Sequence, residues 1–253
     1  MISFRAVYVI VLREFKRFFR QRGRLLTTIA RPLLWLFIVG SGLTKIVEPG
    51  SKGSYMQFLL PGVVGMTILF SSIFSTISVV WDREFGFLRE MLVAPVSRVT
   101  IVIGKLLSGT SLSIFQGMAL LVVAPLVGLS VGAVKLVVMF FLIALVSFSL
   151  TAFGLFIAAR LTSLEGFNVI MNFIVLPMFF LSGALYPVEA LPGPLRWLTY
   201  INPLSYGVDS FKHVLLPEGA RLGAEFSMTL DVAVVCAFAV VMTLLSAWAF
   251  ERR

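Results

Sequence analysis

The residue types that most often carry catalysis or bind metal ions are almost absent from this chain. It has one histidine, His213, and one cysteine, Cys236. Zinc sites usually need two or three imidazoles or thiolates, so we expect no metal site. A single cysteine also excludes a disulfide framework within the chain. No residue is assigned a catalytic role.

A phosphate-binding loop is missing from the sequence as well. Gly104 and Lys105 are adjacent, but they lack the upstream glycine and the following hydroxyl of the G-x-x-x-x-G-K-[ST] pattern. We therefore expect this chain to bind no cofactor, and any ATP chemistry must come from another chain. All 12 acidic residues can be placed in loops or at the ends of apolar segments, which argues against a proton-driven carrier.

The composition indicates which class of protein carries these polar groups. Of the 253 residues, 59% are hydrophobic and 13% are charged, whereas about 25% are charged in a soluble domain. A globule of this composition could not cover itself with polar surface. The composition excludes a soluble enzyme and indicates an integral membrane protein.

Six mostly apolar stretches are long enough to cross the hydrocarbon core, which takes about 20 residues. They are residues 25–44, 58–80, 106–129, 136–159, 166–186 and 232–250. With the N-terminus inside, 14 lysines and arginines fall on cytoplasmic segments and six on outer segments. The positive-inside rule therefore predicts that both termini are cytoplasmic.

Residues 1–24 form a basic amphipathic start. Seven of the 21 basic residues lie here, and apolar side chains recur at helical spacing from Phe4 to Phe18. This pattern predicts a helix on the cytoplasmic membrane surface, where anionic headgroups attract each basic residue by about 1 kcal/mol. The net charge of +9 is thus assigned to membrane lipids and not to nucleic acid.

The cytoplasmic loop after the second span carries a second amphipathic pattern. Trp81, Phe85, Leu88 and Leu92 form one stripe, charges of both signs cover the rest, and Pro95 ends the pattern. Two interpretations stay open from these residues alone. Mixed charge beside apolar side chains suits a protein groove, but an amphipathic connector on the lipid headgroups would have the same pattern.

The external segment 187–216 is interrupted by proline and glycine. Its apolar pieces, 195–200 and 204–216, are too short to cross the membrane but too apolar for a solvated loop. Short broken helices that re-enter the outer leaflet under protein cover fit both properties.

Polar residues within or beside the spans each have two interpretations. Arg31 contacts an anionic substrate headgroup or extends to the inner interface. Glu165, Asn168 and Asn172 share a helix face, where they line a path at a dimer seam or make interhelical hydrogen bonds.

Two sets of residues near the outer side also have two interpretations each, whereas a stripe of small residues has one. Asp209, Lys212 and His213 gate an exit or face external water. Four aromatic residues form an interfacial belt or contact substrate, and they are Tyr186, Trp197, Tyr200 and Tyr206. The small residues Gly109, Ser113 and Gly117 indicate close helix packing.

Two of these regions resemble one family. The stretch Arg83 to Glu90, continued by Pro95-Val96-Ser97-Arg98, resembles the coupling-helix region of type-2 ABC exporter permeases. The sequence Asn202-Pro203-Leu204-Ser205-Tyr206-Gly207, after Leu181-Ser182-Gly183 and Tyr186-Pro187, is similar to the family's signature before the last span. The resemblance covers nearly the whole chain. Lys212 departs from it, because an arginine is expected there and lysine keeps the charge without forked hydrogen bonding.

The expected fold is an all-α integral membrane protein with one permease domain over residues 1–253. It has six transmembrane helices, the N-terminal interfacial helix, a cytoplasmic coupling helix at 81–95 and a re-entrant outer hairpin before the last span. The resemblance implies a homodimer with two cytosolic ATPase subunits, which use ATP and Mg²⁺. It also implies export of an amphipathic lipid, glycolipid or polysaccharide, or hydrophobic drug across the cell inner membrane.

The patterns above and the resemblance together give the candidate site residues. The expected ATPase-coupling residues are Trp81, Arg83, Glu84, Phe85, Gly86, Leu88, Arg89, Glu90 and Pro95. The expected translocation path or gate comprises Asn168, Asn172, Tyr186, Asn202, Pro203, Tyr206 and Asp209, with Arg31 as a candidate headgroup contact.

Two other classes stay as alternatives. One is a secondary carrier or channel. The other is an integral-membrane enzyme that modifies lipids, which would need clustered histidine, aspartate or cysteine at the interface. One histidine and one cysteine argue against that enzyme.

Overall fold

The computed structural model describes residues 3–47, 54–86, 97–217 and 223–251, and every regular element among them is helical. Helix α1 is Phe4–Arg20, and α2 joins Arg22–Leu34, a π-helical turn at Trp35–Val39, and Gly40–Val47. The long helices that follow are α3 (Ser54–Glu84), α4 (Arg98–Leu121) and α5 (Ala133–Arg160). Next, α6 joins Leu164–Ile170, a π-helical turn at Met171–Val175, and Leu176–Phe180. The last helices are α7 (Gly193–Ile201), α8 (Pro203–Leu215) and α9 (Met228–Glu251).

Four helices of the described chain are long and apolar enough to cross a membrane. They are Tyr55–Glu84, Arg98–Leu121, Ala133–Arg160 and Met228–Phe250. Three of these helices contain the second, fourth and sixth predicted spans, and Arg98–Leu121 overlaps the third. The first and fifth predicted spans overlap two shorter apolar stretches, Ala30–Leu43 and Leu164–Phe180. The chain is a multi-pass, all-helical membrane protein.

The centre of the bundle is α5, which packs against α3, α4 and α9. The predicted small-residue stripe lets these helices approach closely. A Cβ atom on Gly109 would lie 2.3 Å from the Ser75 hydroxyl oxygen and 2.6 Å from a methyl carbon of Thr151. Ser113 is buried and donates a hydrogen bond to Ser71, with 3.0 Å between the oxygens. The packing role predicted for the stripe is confirmed.

Helix α1 packs against the bundle. Ser3 caps its N-terminus, since its hydroxyl accepts a hydrogen bond from the Ala6 N–H at 3.4 Å. Val7, Glu14 and Phe18 are buried, and α1 packs along α4. Phe4 and Tyr8, which were predicted to share the apolar stripe, are exposed. The apolar residues of α1 are therefore divided between a protein contact and an outward face.

Two predicted element boundaries differ from the structure. The third span was predicted at 106–129, but α4 begins at Arg98 and ends at Leu121. The charge of Lys105 was taken as a boundary, yet it is neutralised inside the bundle, so the helix continues through it. The coupling helix was predicted to start at Trp81, but residues 81–84 form the last turn of α3.

The segment between α6 and α9 consists of short helices. The chain leaves α6 at Phe180, turns at Gly183 with a φ of +69°, and forms a 3-10 turn at Val188–Ala190 before α7. Helix α8 is largely buried and packs against α3, α5 and α9. At Gly65 of α3, a Cβ atom would lie 2.5 Å from a Val208 methyl carbon, so the glycine permits this approach.

Candidate functional site

The end of α3 carries the described part of the predicted coupling region. Arg83 donates from Nη1 to the carbonyl oxygens of Ala159 at 3.1 Å and of Leu161, at the C-terminal end of α5. Glu84 accepts a hydrogen bond from the backbone N–H of Leu164, the first residue of α6, at 3.1 Å. These two side chains therefore join the end of α3 to the α5–α6 connection.

Beside these bonds, aromatic side chains remain exposed. Trp81 is 39% exposed and Phe85 is 67% exposed. Gly86 has a φ of +81°, a left-handed conformation that favours glycine. Four further predicted coupling residues lie outside the described residues, and they are Leu88, Arg89, Glu90 and Pro95.

An ionic network that we call the inner cluster lies under this region. It comprises Arg13, Glu14, Asp82 and Lys105. Lys105 Nζ lies 2.8 Å from Glu14 Oε1 and 2.7 Å from Asp82 Oδ2, and it also donates to the Ser78 hydroxyl at 3.0 Å. Arg13 lies 2.7 Å from the other oxygen of Asp82. The Lys105, Asp82 and Glu14 side chains are buried, so the cluster fastens α1, α3 and α4 together.

Other arginines fix the same end of the bundle. Arg17 of α1 lies over the Trp81 ring, 5.6 Å from its centroid. Arg98 at the start of α4 donates to the carbonyl oxygen of Phe250 in α9 at 3.3 Å. Arg160 lies 5.0 Å from the ring centroid of Trp248. Any force applied to the end of α3 is consequently shared among several helices.

The residues predicted to form a translocation path separate into two groups. Asn168 and Asn172 are exposed on α6, so within the part of the chain that the structure describes they are not buried between helices. Asn202 caps α8 instead: its side-chain oxygen accepts from the Leu204 N–H at 3.1 Å, and its amide donates to the Met178 carbonyl at 2.7 Å. Pro203 occupies the first position of α8, where its missing N–H costs no hydrogen bond.

The predicted tyrosines also hold backbone in place. The Tyr186 hydroxyl donates to the carbonyl oxygen of Phe180 at 2.6 Å. The Tyr206 hydroxyl donates to the Tyr200 carbonyl at 2.8 Å, and the Tyr206 ring stacks on Phe226 with 4.9 Å between centroids. These contacts fix the turns around α7 and α8.

A second ionic network, which we call the outer cluster, surrounds α8. It comprises Asp209, Lys212, His213, Glu225 and Asp231. The Asp209 carboxylate accepts hydrogen bonds from the backbone N–H groups of Glu225 and Phe226 at 2.8–3.0 Å. Asp209 and Lys212 are buried, so of the two alternatives the one in which they face external water is wrong for this pair, whereas His213 is partly exposed. A role as a gate stays a prediction.

The lysine of the outer cluster lies among carboxylates and an aromatic ring. Lys212 Nζ is 3.6 Å from Asp209, 3.9 Å from Glu225 and 4.9 Å from the centroid of the Phe58 ring. Burial lowers the pKa of Lys212, and the charges of Asp209 and Glu225 act in the opposite direction. Burial likewise raises the pKa of the Glu225 carboxyl.

A cavity of about 340 Å³ opens between α2, α3 and α4. Arg31 and Pro32 line it from α2, and Phe70, Phe74 and Gln116 line it from the other helices. The exposed guanidinium of Arg31 thus borders a cavity with aromatic and amide walls. This arrangement can hold a molecule that combines an anionic group with apolar chains or rings.

Sequence reasoning missed the partners in both ionic clusters. Glu14, Asp82 and Lys105 were assigned to solvated surface or cytoplasmic segments, and Glu225 and Asp231 were given no role. The available signal was a charge within a helix of apolar character, such as Lys105, which lies seven residues after the start of α4. A charge in that position needs a partner or a functional reason.

Known proteins are similar to this chain over most of its length. A family model described as ABC-2 type transporter matches residues 5–216. A transport permease named ycf38 from Cyanophora paradoxa is 30% identical over 210 residues, which cover 81% of this chain and 72% of that protein. Nodulation protein J of Rhizobium meliloti (strain 1021) is 30% identical over 231 residues, covering 90% of this chain and 86% of that protein. The matched family region includes the end of α3 and all of α8.

Proposed function

Because the chain belongs to the ABC-2 type transporter family, we propose that it is the permease subunit of an ATP-binding-cassette exporter. In this proposal two copies pair in the cell inner membrane, with both termini cytoplasmic, and two separate cytosolic ATPase subunits bind below. ATP and Mg²⁺ are used by the ATPase, and this chain hydrolyses no nucleotide.

The observation that carries the proposal is the arrangement at the end of α3. The exposed Trp81 and Phe85 provide an aromatic docking surface for a protein, since aromatic residues are enriched at interface hot spots. Next to them, Arg83 and Glu84 bond the end of α5 and the start of α6. A partner that moves this turn would therefore move α6 through two polar contacts.

The exposed face of α6 favours pairing with a second copy. Val169, Phe173 and Leu176 are exposed there, beside the exposed amides of Asn168 and Asn172. Lipid tails offer no hydrogen-bond partners to an amide, whereas a neighbouring helix does. We place the dimer seam and the translocation path along this face.

A six-span topology completes the proposal. The helical backbone of α2 covers Arg22–Val47, about 39 Å at 1.5 Å per residue, which exceeds a hydrocarbon core of about 30 Å. Helix α6 reaches about 25 Å by the same measure, and we propose that it spans the membrane with the turn after Phe180 at the outer interface. Helices α7 and α8 then form the re-entrant outer hairpin.

The substrate class is proposed from the Arg31 cavity. A guanidinium beside Phe70 and Phe74 suits an amphipathic molecule with an anionic headgroup, such as a lipid or a lipid-linked saccharide. Export is proposed because α7, α8 and the outer cluster cover the outer end of the bundle and leave little room for an external receptor.

Reconstitution with a cytosolic ATPase partner, to be sought in the neighbouring reading frames, tests the function. The complex in liposomes should hydrolyse ATP faster than the ATPase alone, and it should move an amphipathic substrate only with ATP. Phe85→Ser should weaken ATPase binding at least about tenfold, as truncation of an interface aromatic does.

The matched control is Phe141→Ser, because Phe141 is 65% exposed in α5 and Phe85 is 67% exposed. This control should bind the ATPase normally. ATP-independent uphill transport by the purified chain would contradict the proposal, and so would wild-type ATPase binding by the Phe85→Ser variant.

A further inference from the structure

The outer cluster contains a buried carboxylate without a hydrogen-bond partner. The Asp231 side chain has no solvent exposure, and among the described residues neither of its oxygens has a hydrogen-bond partner. Burying an ionised carboxylate without compensation is costly, so such groups are normally paired or coordinate metal ions. The imidazole of His213 lies close to this carboxylate, with 3.6 Å between Nε2 and Oδ2.

The charges around Asp231 do not balance. Asp209, Glu225 and Asp231 bring three carboxylates to the cluster, and Lys212 brings one ammonium group. With all three carboxylates ionised and a neutral His213, the net charge of these groups would be −2. A divalent cation neutralises that charge, and a carboxylate–imidazole set is one that divalent transition metals accept.

The geometry fits a metal ion bound by three side chains. The ligand atoms of Asp209, His213 and Asp231 lie within 4.8 Å of one another. His213 Nε2 is 3.6 Å from Asp231 and 3.9 Å from Asp209. In a tetrahedral zinc site with bonds of about 2.0–2.1 Å, neighbouring ligand atoms are about 3.4 Å apart. The unbonded Asp231 carboxylate can rotate to close the remaining gap.

We propose that Asp209, His213 and Asp231 bind one divalent transition-metal ion of the Zn²⁺ class. The ion takes the place of the Nε2 proton of His213, and the Phe226 carbonyl oxygen, which faces Nε2 at 2.9 Å, has to move away when the ion binds. It joins α8 to the first turn of α9, and the partly exposed His213 gives access to the site. We expected no metal site because the sequence has too few imidazoles and thiolates for a usual zinc site. The site proposed here is built mainly from carboxylates that are distant in sequence.

The test is zinc binding by the purified full chain. Cys236 is an exposed free thiol and would bind zinc, so the background is Cys236→Ser, with an affinity tag that contains no histidine. After treatment with a chelator, Zn²⁺ should bind at one ion per chain and raise the unfolding temperature. Asp231→Asn and His213→Gln should each weaken binding at least about tenfold, as loss of a metal-site residue does.

The control variant is Glu189→Gln, which changes an exposed carboxylate outside the cluster and should leave zinc affinity unchanged. The proposal is overturned if the His213→Gln protein binds Zn²⁺ as tightly as the background protein, or if the background protein binds none.

A second measurement needs no variant in the site. His213 is the single histidine, so its acylation by diethyl pyrocarbonate can be followed by mass spectrometry of one peptide. Zn²⁺ should slow this acylation at least about tenfold. An unchanged rate at saturating Zn²⁺ overturns the proposal. Neither measurement involves the ATPase, so its result is independent of the proposed transport function.

Discussion

The inner and outer clusters are two buried ionic networks at opposite ends of α3. Asp82 belongs to the inner cluster, and Phe58, under the ammonium group of Lys212, borders the outer one. These positions are 24 residues apart in one helix, which corresponds to about 36 Å. Both networks combine a lysine with aspartate and glutamate, but the carboxylates are compensated differently.

In the inner cluster every charge has an opposite partner. Two cations, Arg13 and Lys105, meet two anions, Glu14 and Asp82, and Lys105 has three oxygen acceptors within 3.0 Å. Because desolvation of each ion is costly, such a network is stable only when its members are all present. The inner cluster is therefore a fastener for three helices.

In the outer cluster the carboxylates differ in the number of hydrogen bonds that they accept. Asp209 accepts three hydrogen bonds from backbone N–H groups, whereas both oxygens of Asp231 have none. In terms of the metal site proposed above, a balanced network holds helices together by itself, while an acid-rich network takes up a cation from outside.

Removal of Lys105 should give the largest effect of the substitutions that test this comparison. Lys105→Met leaves two buried carboxylates without their common cation, and the free energy of unfolding should fall by about 3–5 kcal/mol. The measurement is unfolding in mixed micelles. Lys16→Met is the control, since Lys16 is exposed on α1. Equal stability of the two variants would show that the inner cluster is not a fastener.

Aspartate-to-asparagine substitutions in the two clusters should change the free energy of unfolding in opposite directions. Asp82→Asn removes a charge that has two cationic partners, and the free energy of unfolding should fall by about 2–3 kcal/mol. In chelator-treated protein, Asp231→Asn removes an uncompensated charge, so the free energy of unfolding should rise by about 1 kcal/mol. Parallel unfolding titrations measure both. If both variants lose stability equally without metal, the two clusters do not differ in the way proposed.

The sequence predicted the elements that depend on local composition. Apolar runs indicated the helices that became α3, α5 and α9, because length and hydropathy decide whether a segment can cross a membrane. The Asn202-Pro203 pair indicated the break before α8, since both residues favour a helix start. The four highest-numbered coupling residues, from Leu88 to Pro95, stay a prediction.

The ionic clusters could not be predicted, because their partners are distant in sequence. Lys105 bonds Glu14 across 91 residues and Asp82 across 23 residues. From the sequence alone, Lys105 is assigned to the cytoplasm because it lies near the end of a predicted span. The predicted start of α4 is then too far along the chain. Similarly, Glu225 and Asp231 meet Asp209 only after the chain has turned back along α8.

The smallest effect should come from the one partly exposed member of the inner cluster. The Arg13 side chain is 35% exposed, and Asp82 keeps Lys105 as a partner when Arg13 is removed. Arg13→Met should therefore lower the free energy of unfolding by about 1 kcal/mol or less, within the range of exposed ion pairs, and added salt should reduce the difference from wild type. A loss as large as that of Lys105→Met would mean that the buried lysine alone does not satisfy Asp82, and that the inner cluster depends on four charges and not on its three buried ones.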